Sequence, residues 1–251
     1  MSPTIYLVTG ANRGIGLAIT TQLAARPDTI VFAGARNPAQ AISLHALTAT
    51  HPGRVHILKV VSADRANNDA AIEEIRRIVR RLDVVIANAG ISNCFVSALE
   101  VPKEEMVRHV EVNTNGPLVL FQAAYPLLRE SPSPKFVPIT SAMGSIADGT
   151  TYPIYTYAYG ASKAALNWVT RKLHFDFPEL VIFPLDPGGT DTDFVKNAVE
   201  KDERMRELMQ SFPLITPETS ARGILEQVDA ATRETHGGQF VSYAGLEKCN
   251  W

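Results

Sequence analysis

Tyr159 and Lys163 stand four residues apart in the stretch Tyr159-Gly160-Ala161-Ser162-Lys163, which runs into Ala164, Leu166, Val169 and Leu173 at helical spacing. Side chains four apart on a helix share a face, so both polar ends can enter one pocket. A free tyrosine ionises near about pH 10 and is a poor base at neutral pH. A neighbouring ammonium favours the phenolate and lowers that value. A phenol so placed can exchange a proton with an alcohol or carbonyl oxygen. Tyr152, Tyr155 and Tyr157 lie close by, and none has lysine four residues on.

Ser141 and Asn88-Ala89-Gly90 each end a short apolar run. Read as strands, these runs place both at the carboxyl edge of a parallel sheet, where such sheets bind ligands. Ser141 there could hydrogen-bond a substrate oxygen. Asn113 interrupts a helical pattern, a mediocre place for asparagine unless its amide has work. Taken singly, Ser141 and Asn88 also read as turn caps and Asn113 as an exposed polar residue.

Near the start, Thr9-Gly10-Ala11-Asn12-Arg13-Gly14-Ile15-Gly16 follows one apolar run and opens into Leu17, Ala18, Ile19 and Leu23 at helical spacing. Glycines let the backbone turn tightly and approach a pyrophosphate, and a helix N-terminus offers N–H groups and a positive dipole end. The spacing is Gly-x-x-x-Gly-x-Gly, not the usual Gly-x-Gly-x-x-Gly fingerprint. Many NAD enzymes carry an acid after the second strand for the ribose hydroxyls. Val31-Phe32-Ala33-Gly34-Ala35-Arg36-Asn37-Pro38 has none. Arg36, with Arg13 as a second cation, could fork onto a 2′-phosphate, so NADP(H) is favoured over NAD(H). The alternative is a solvated surface arginine.

The elements that must position these residues alternate. Strands are expected at 5–9, 29–35, 55–61, 84–88, 136–140, 181–185 and 239–242, most of them almost continuously apolar. Such runs suit strands covered by helices on both faces. Between them, Ile72, Ile75, Val79 and Leu82 predict one helix with Arg76, Arg77 and Arg80 on its outer face. Thr216-Pro217 predicts the N-cap and first residue of another, whose buried stripe is Ala221, Ile224, Leu225 and Val228. The pattern is that of an α/β chain of stacked βαβ units around a parallel sheet of about seven strands. With no repeat or linker-like shift in composition, residues 1–251 read as a single domain.

The 251 residues are 45% hydrophobic and 20% charged, with net charge −2. That composition supports an ordinary buried core. Charges of both signs are interspersed, which argues against nucleic acid and anionic membrane surfaces as partners. No apolar run approaches the roughly 20 residues of a membrane span, and the N-terminus lacks the marks of a signal peptide. Two cysteines, Cys94 and Cys249, are too few and too distant for a disulfide framework, and the six histidines show no metal spacing. A cytoplasmic setting is expected.

The ordered set TGANRGIG (9–16), NAG (88–90), Asn113, Ser141, YGASK (159–163) and PGGTDT (187–192) resembles the classical short-chain dehydrogenases/reductases over nearly the whole chain. The resemblance implies a Rossmann fold, a doubly wound sheet of order 3-2-1-4-5-6-7, and hydride transfer between a nicotinamide cofactor and a carbonyl or alcohol. It implies Tyr159 as acid/base and Lys163 as a holder of the nicotinamide ribose that also tunes Tyr159. Ser141 would orient the carbonyl, and Asn113 would support a water-linked proton relay. Gly10, Asn12, Arg13, Gly14, Ile15 and Gly16 would cradle the phosphates. Asn88, Ala89 and Gly90 would hold the central sheet and the cofactor. Pro187, Gly188, Thr190 and Thr192 would shape the nicotinamide end. A homodimer or homotetramer is also implied, with a monomer left open, and the small residues Gly160, Ala161, Ala164 and Ala165 would admit a neighbouring helix.

Two departures stand out. Val61 occupies the place where many members carry an acid near the adenine, with Asp64 a little further on. Extra residues around 148–153 lengthen the span from Ser141 to Tyr159, as in the carbonyl-reductase, C-factor and sniffer-like branch with its norsolorinic-acid-type fungal ketoreductases. Residues 190–212 carry apolar Phe194, Val195, Met205, Met209 and Phe212 amid charges and read as a substrate lid or as an ordinary amphipathic surface helix. Cys94, Phe95, Met143 and Tyr155 are expected around an apolar or aromatic substrate. The competing functions are an enoyl reductase or nucleotide-sugar epimerase, and a cofactor-binding redox sensor or signalling protein with little turnover. The near-complete Ser–Tyr–Lys set and the lack of a substantial C-terminal substrate domain argue against the first pair; Tyr159 and Lys163, whose loss would mark the sensor, are both present, and binding without turnover stays open.

Overall fold

The first strand, β1 (Thr4–Thr9), is buried at five of its six residues. Side chains alternate across a strand, so a strand buried throughout needs cover on both faces. In the computed structural model, which describes residues 2–211, 214–246 and 249–251 apart from the side chains of Phe194, Asn197 and Ser211, both faces have it. Leu7 joins Phe32, Leu58, Ile75, Val85, Phe121 and Phe136 on one side. Its neighbour Val8 joins Ile19, Leu23, Val31, Ile86 and Leu225 on the other.

The central sheet is parallel and runs β3 (Val55–Lys59), β2 (Thr29–Ala35), β1, β4 (Val84–Ala87), β5 (Lys135–Pro138), β6 (Val181–Ile182). α3 (Arg65–Ile78) packs beside α5 (Gly116–Leu128) on one face, and α1 (Gly14–Ala24) beside α9 (Pro217–Ala230) on the other. α2 (Ile42–Thr50) links β2 to β3, α4 (Lys103–Val110) precedes α5, and α6 (Tyr157–Asp176) packs against α4. Among the described residues no helix is long and apolar enough to cross a membrane.

The expected sixth strand is interrupted, and the expected seventh, 239–242, lies beside its second half. The run 181–185 is split, because Pro184 has no N–H to give to a ladder. Val181–Ile182 stays with β5, whereas β7 (Leu185–Asp186) pairs with β8 (Val241–Ser242) as a separate two-stranded parallel unit. The order 3-2-1-4-5-6 therefore holds for the main sheet, and a bridge from Ile139 to Leu185 keeps the pair aligned with it. The helix expected through Leu82 ends at Ile78: Val79 is already extended. Leu82 is instead fully buried in the connection, where its N–H bonds Leu127 O at 3.0 Å. Thr216 caps α9 as expected, accepting from Thr219 N at 3.1 Å.

Phe136 anchors β5 beneath the site. It is fully buried and meets Phe121 edge-on at 5.0 Å. Phe136→Ala should lower the unfolding free energy by about 3–5 kcal/mol in urea denaturation; a loss below about 1 kcal/mol would show that the β5 core can collapse around the missing ring.

Candidate active site

Helix α6 carries Tyr159 and Lys163 on its buried face, at 7% and 4% exposure, along with Ser162, Leu166, Asn167 and Thr170. Close approach to the end of β5 makes this burial. A Cβ on Gly144 would lie 2.7 Å from the Lys163 backbone, so only glycine lets the two segments meet there. Thr140 Oγ1 donates to Asn167 Oδ1 at 2.6 Å, and Asn167 Nδ2 donates to Gly144 O at 3.3 Å. Lys163 Nζ donates to Ile139 O at 2.8 Å and lies 5.7 Å from the centre of the Tyr159 ring. One helical turn thus brings the two groups together, as their spacing predicts.

Ser141 lies beyond the end of β5, since the ladder stops at Pro138 and only Ile139 continues it by a single bridge. Its Oγ accepts from Met143 N at 3.2 Å and hydrogen-bonds the Tyr159 side chain. Burial pushes the Tyr159 phenol well above the usual tyrosine range, the Ser141 bond opposes this, and the Asp186 carboxylate adds to it. In the protein by itself, burial therefore outweighs the pull toward phenolate expected from a neighbouring lysine. The phenol keeps its proton at neutral pH. Burial lowers the Lys163 ammonium to about 8, against the Asp186 carboxylate, which raises it.

Asp186 is the group the sequence reading missed. It is buried and accepts from Ala142 N at 2.8 Å and Gly188 N at 3.2 Å, tying the Ser141 turn to the 187–190 turn. Burial raises its own carboxyl, and the two N–H bonds and Lys163 hold it back. The available signal was an acid closing the apolar run 180–185, where a strand end has no use for a charge without partners.

Asn113 sits in a π-helical turn, Glu111–Asn115, of the kind often found at functional sites. Its amide is spent inside the protein: Oδ1 accepts from Ile91 N at 2.8 Å, and Nδ2 donates to Ile91 O at 2.9 Å and Ser162 Oγ at 3.0 Å. Asn88 Nδ2 reaches Thr9 O and Gly10 O at 3.0 and 3.3 Å, and Ala89 N donates to Thr9 Oγ1 at 3.1 Å. Gly90 lies beside Asn113 and Lys163, whose Nζ a Cβ there would approach to 3.7 Å.

The glycine turn needs its glycines for two different reasons. Gly10 has φ +63, and a Cβ on Gly16 would stand 2.3 Å from Gly10 O. Helix α1 then starts with no side-chain cap and no acid in its first turn. That combination of close backbone and positive dipole end fits a pyrophosphate. Asn12 is exposed at the turn, and Ile15 packs on the core beneath it. Arg13 is engaged with Asp193 at 3.5 Å across the turn, both side chains being exposed. Arg36 is exposed just beyond β2 and forms no ion pair among the described residues. Asp64 caps α3, accepting from Asn67 N at 2.9 Å, and Val61 N donates to Asn67 Oδ1 at 2.6 Å. At the other end, Pro187 O accepts from Ser220 Oγ, Gly188 has φ +75, and Thr190 Oγ1 donates to Gly188 O at 3.1 Å. Thr192 faces the glycine turn, 3.4 Å from where a Gly14 Cβ would be.

Beside these groups lies a cavity of about 60 Å³ walled by Phe95, Met143, Val195, Ala198, Met205, Met209 and Leu214, with Ser92, Thr156 and Gly189. Val195 comes from α7 (Asp193–Lys201), and Met205 and Met209 from α8 (Glu203–Ser211), the segment expected to cover substrate. Phe212 and the Phe194 side chain lie outside the described residues. Of the four residues expected around substrate, Phe95 and Met143 line this cavity. Cys94 is buried outside its walls, and the Tyr155 ring stacks under Arg204 at 4.0 Å. Gly160, expected to admit another helix, faces the Met143 carbonyl of its own chain. The long 145–156 loop is pinned by the C-terminus: Ala147 N donates to Trp251 O at 3.0 Å, and Asn250 Nδ2 to Asp148 Oδ2 at 2.9 Å.

This arrangement has relatives. Residues 4–203 match the short chain dehydrogenase family. A short chain dehydrogenase of Penicillium aethiopicum, gsfK, is 36% identical over 250 residues, covering 98% of each chain. The norsolorinic acid ketoreductase of Aspergillus parasiticus is 35% identical over 255 residues, covering 99% of this chain and 91% of that one. The NADPH-bound carbonyl reductase from chicken fatty liver superposes with a TM-score of 0.87 at 28% identity, covering 100% of both chains. The chain belongs to the short-chain dehydrogenase/reductase family and is an oxidoreductase related to carbonyl reductases and ketoreductases.

Proposed function

We propose that the protein reduces a ketone or aldehyde, or oxidises the corresponding alcohol, with NADP(H), and that Tyr159 is the proton donor or acceptor. The observation that carries this reading is the buried Tyr159–Lys163 pair on α6 with the Ser141 side chain hydrogen-bonded to the phenol. Bound NADP(H) supplies or accepts the hydride. Ser141 donates to the substrate oxygen and orients it, and Tyr159 passes its proton to the same oxygen as negative charge develops there. Lys163 holds the ribose and places a positive charge beneath the phenol. Asn113 fixes the backbone at Ile91 and, through Ser162, the turn of α6 that bears Tyr159, from where it supports a proton relay.

Gly10, Asn12, Gly14, Ile15 and Gly16 hold the pyrophosphate at the start of α1, with Asn88, Ala89 and Gly90 lining the floor. Asp64 lies toward the adenine, as a cap of α3. Pro187, Gly188, Thr190 and Thr192 shape the nicotinamide end. Arg36, exposed and in no ion pair among the described residues, would face the 2′-phosphate, with Arg13 beside it; the NADPH bound to the chicken enzyme supports this choice. The apolar cavity suits an apolar or aromatic substrate, and α7 and α8 act as its lid within a single catalytic domain.

Tyr159→Phe should lower turnover by about 10²–10⁴-fold while NADPH binding, followed by nicotinamide fluorescence, stays close to wild type; wild-type kcat in that variant would defeat the acid/base assignment. Arg36→Ala should weaken NADPH about ten-fold or more, the worth of a charge-assisted hydrogen bond, and leave NADH almost untouched. Equal loss of both cofactors would remove the 2′-phosphate role. The Asp186 carboxylate raises the pKa of both groups, favouring the Lys163 ammonium and the protonated Tyr159 phenol. Asp186→Asn should therefore shift the alkaline limb of kcat/KM for reduction to lower pH, and an unmoved limb would mean that neither group feels this carboxylate during turnover.

A further inference from the structure

Ser141 and Tyr159 come from different elements, and Ser141 lies beyond the strand ladder. The β5 pairing stops at Pro138, Ile139 adds one bridge, and Ser141 then opens the short turn Ala142–Gly144. From that turn its side chain hydrogen-bonds Tyr159 on α6. Two groups that act on one atom must keep a fixed separation, since a misplacement of about 1 Å can cost about 10²-fold in rate. The turn therefore has to be tied to the helix.

Asn167 ties it at both ends. It follows Tyr159 and Lys163 at a spacing of four along α6, and all three lie on the buried face of the helix. Thr140 Oγ1, from the residue just before Ser141, donates to Asn167 Oδ1 at 2.6 Å. Asn167 Nδ2 donates to the carbonyl of Gly144, the last residue of the turn, at 3.3 Å. One planar amide thus spans the turn that Ser141 opens. Its two partners are themselves fixed: Thr140 N donates to Leu185 O at 2.8 Å, and Gly144 N to Ser141 O at 2.8 Å.

Packing by itself does not call for an amide at this place. Asn167 is 3% exposed, and Leu166 and Leu173 fill comparable positions on the same helix with apolar groups. Burying an amide costs free energy that its hydrogen bonds must recover, and these bonds go to the two ends of the Ser141 turn. Asp186 supports the same turn from the β7 side through Ala142 N, but its charge acts on Lys163 as well. Asn167 is neutral and acts through geometry.

We propose that Asn167 is a positioning residue that holds the Ser141 hydroxyl at working distance from Tyr159. Its effect on turnover rests on the reductase reading, in which those two groups act on one substrate oxygen. Without the amide, the Ser141 turn drifts from α6 while the glycine turn that holds the cofactor keeps its place.

The test is a double-mutant cycle between Asn167→Ala and Ser141→Ala, read as kcat for reduction of 1-tetralone and acetophenone with NADPH. In the wild-type background Asn167→Ala should lower kcat about ten- to hundred-fold, with NADPH affinity, followed by nicotinamide fluorescence, close to wild type. In the Ser141→Ala background it should cost less than about two-fold more, because the group it positions is gone. Thr140→Val removes one end of the bracket at nearly constant shape. It should lower kcat with the same dependence on Ser141, and it carries the cycle if Asn167→Ala does not fold. Equal losses in both backgrounds would overturn the proposal, since they mark a general effect on the fold. So would an unchanged kcat, or a loss of NADPH affinity as large as the loss of kcat. A crystal structure of the variant needs no substrate: the hydrogen bond between the Ser141 and Tyr159 side chains should be lost, and its persistence would overturn the proposal. A displaced Ser141 in a protein whose wild type reduces neither ketone with NADPH or NADH would bring down the reductase reading instead, and leave the positioning role supported.

Discussion

Lys163 carries its amine into a helix face almost closed to water, and an isolated ammonium there would be prohibitively costly. The Ile139 carbonyl at 2.8 Å and the negative charge of Asp186 offset the burial. Asp186 in turn is held by the N–H groups of Ala142 and Gly188. The carbonyl belongs to the last residue bridged to β7, and the two N–H groups belong to the turns after β5 and β7. Satisfying one buried charge therefore fixes where the two strand ends, the Ser141 turn and α6 lie relative to each other. The same burial keeps the Tyr159 phenol protonated.

Three asparagine side chains extend this framework where the sheet ladder runs out. Asn88 binds the end of β1 to the end of β4, Asn113 binds the chain after β4 to α6, and Asn167 binds α6 to the turn after β5. An amide both donates and accepts, so it can splice two backbone segments that cannot reach each other. Strand ends are where backbone groups lose their partners. The carboxyl edge of the sheet is thus both the weakest part of the ladder and the place where polar side chains accumulate, which is why the site forms there.

The apolar cavity is built on a different principle. Its walls come from four separate segments and are mostly flexible thioethers and aliphatic groups, which adapt to shape and give little direction. α7 and α8 are nonetheless anchored: buried Asp202, between them, accepts from Tyr155 N at 3.3 Å and Arg204 N at 3.0 Å, and Arg204 covers the Tyr155 ring. Cover over the cavity is therefore linked to the loop that leads into the Tyr159 helix. Rigid polar groups at one end and an adaptable apolar wall at the other let one scaffold keep its chemistry while its substrates change.

Local rules were enough for the parts of this protein that depend on neighbours in sequence. The run of apolar strands, the glycine turn opening into α1, the Thr216 cap and the one-turn spacing of Tyr159 and Lys163 follow from backbone sterics and periodicity, and all were legible in the chain. The break at Pro184 went unread in the run 181–185, and the pairing of β7 with β8 depended on packing. Long-range balance was not legible at all. That Leu82 is buried outside a helix, that Asp186 supports Lys163 from 23 residues away, that Gly160 is taken by Met143 and that Ser92 is buried without a partner all depend on segments the chain brings together only when the sheet closes. The sequence alone determined which chemical groups this protein owns and the turns that present them. The tertiary structure decided how far each is removed from water, and hence which proton stays on, because desolvation is a property of everything packed around a group and not of its neighbours along the chain.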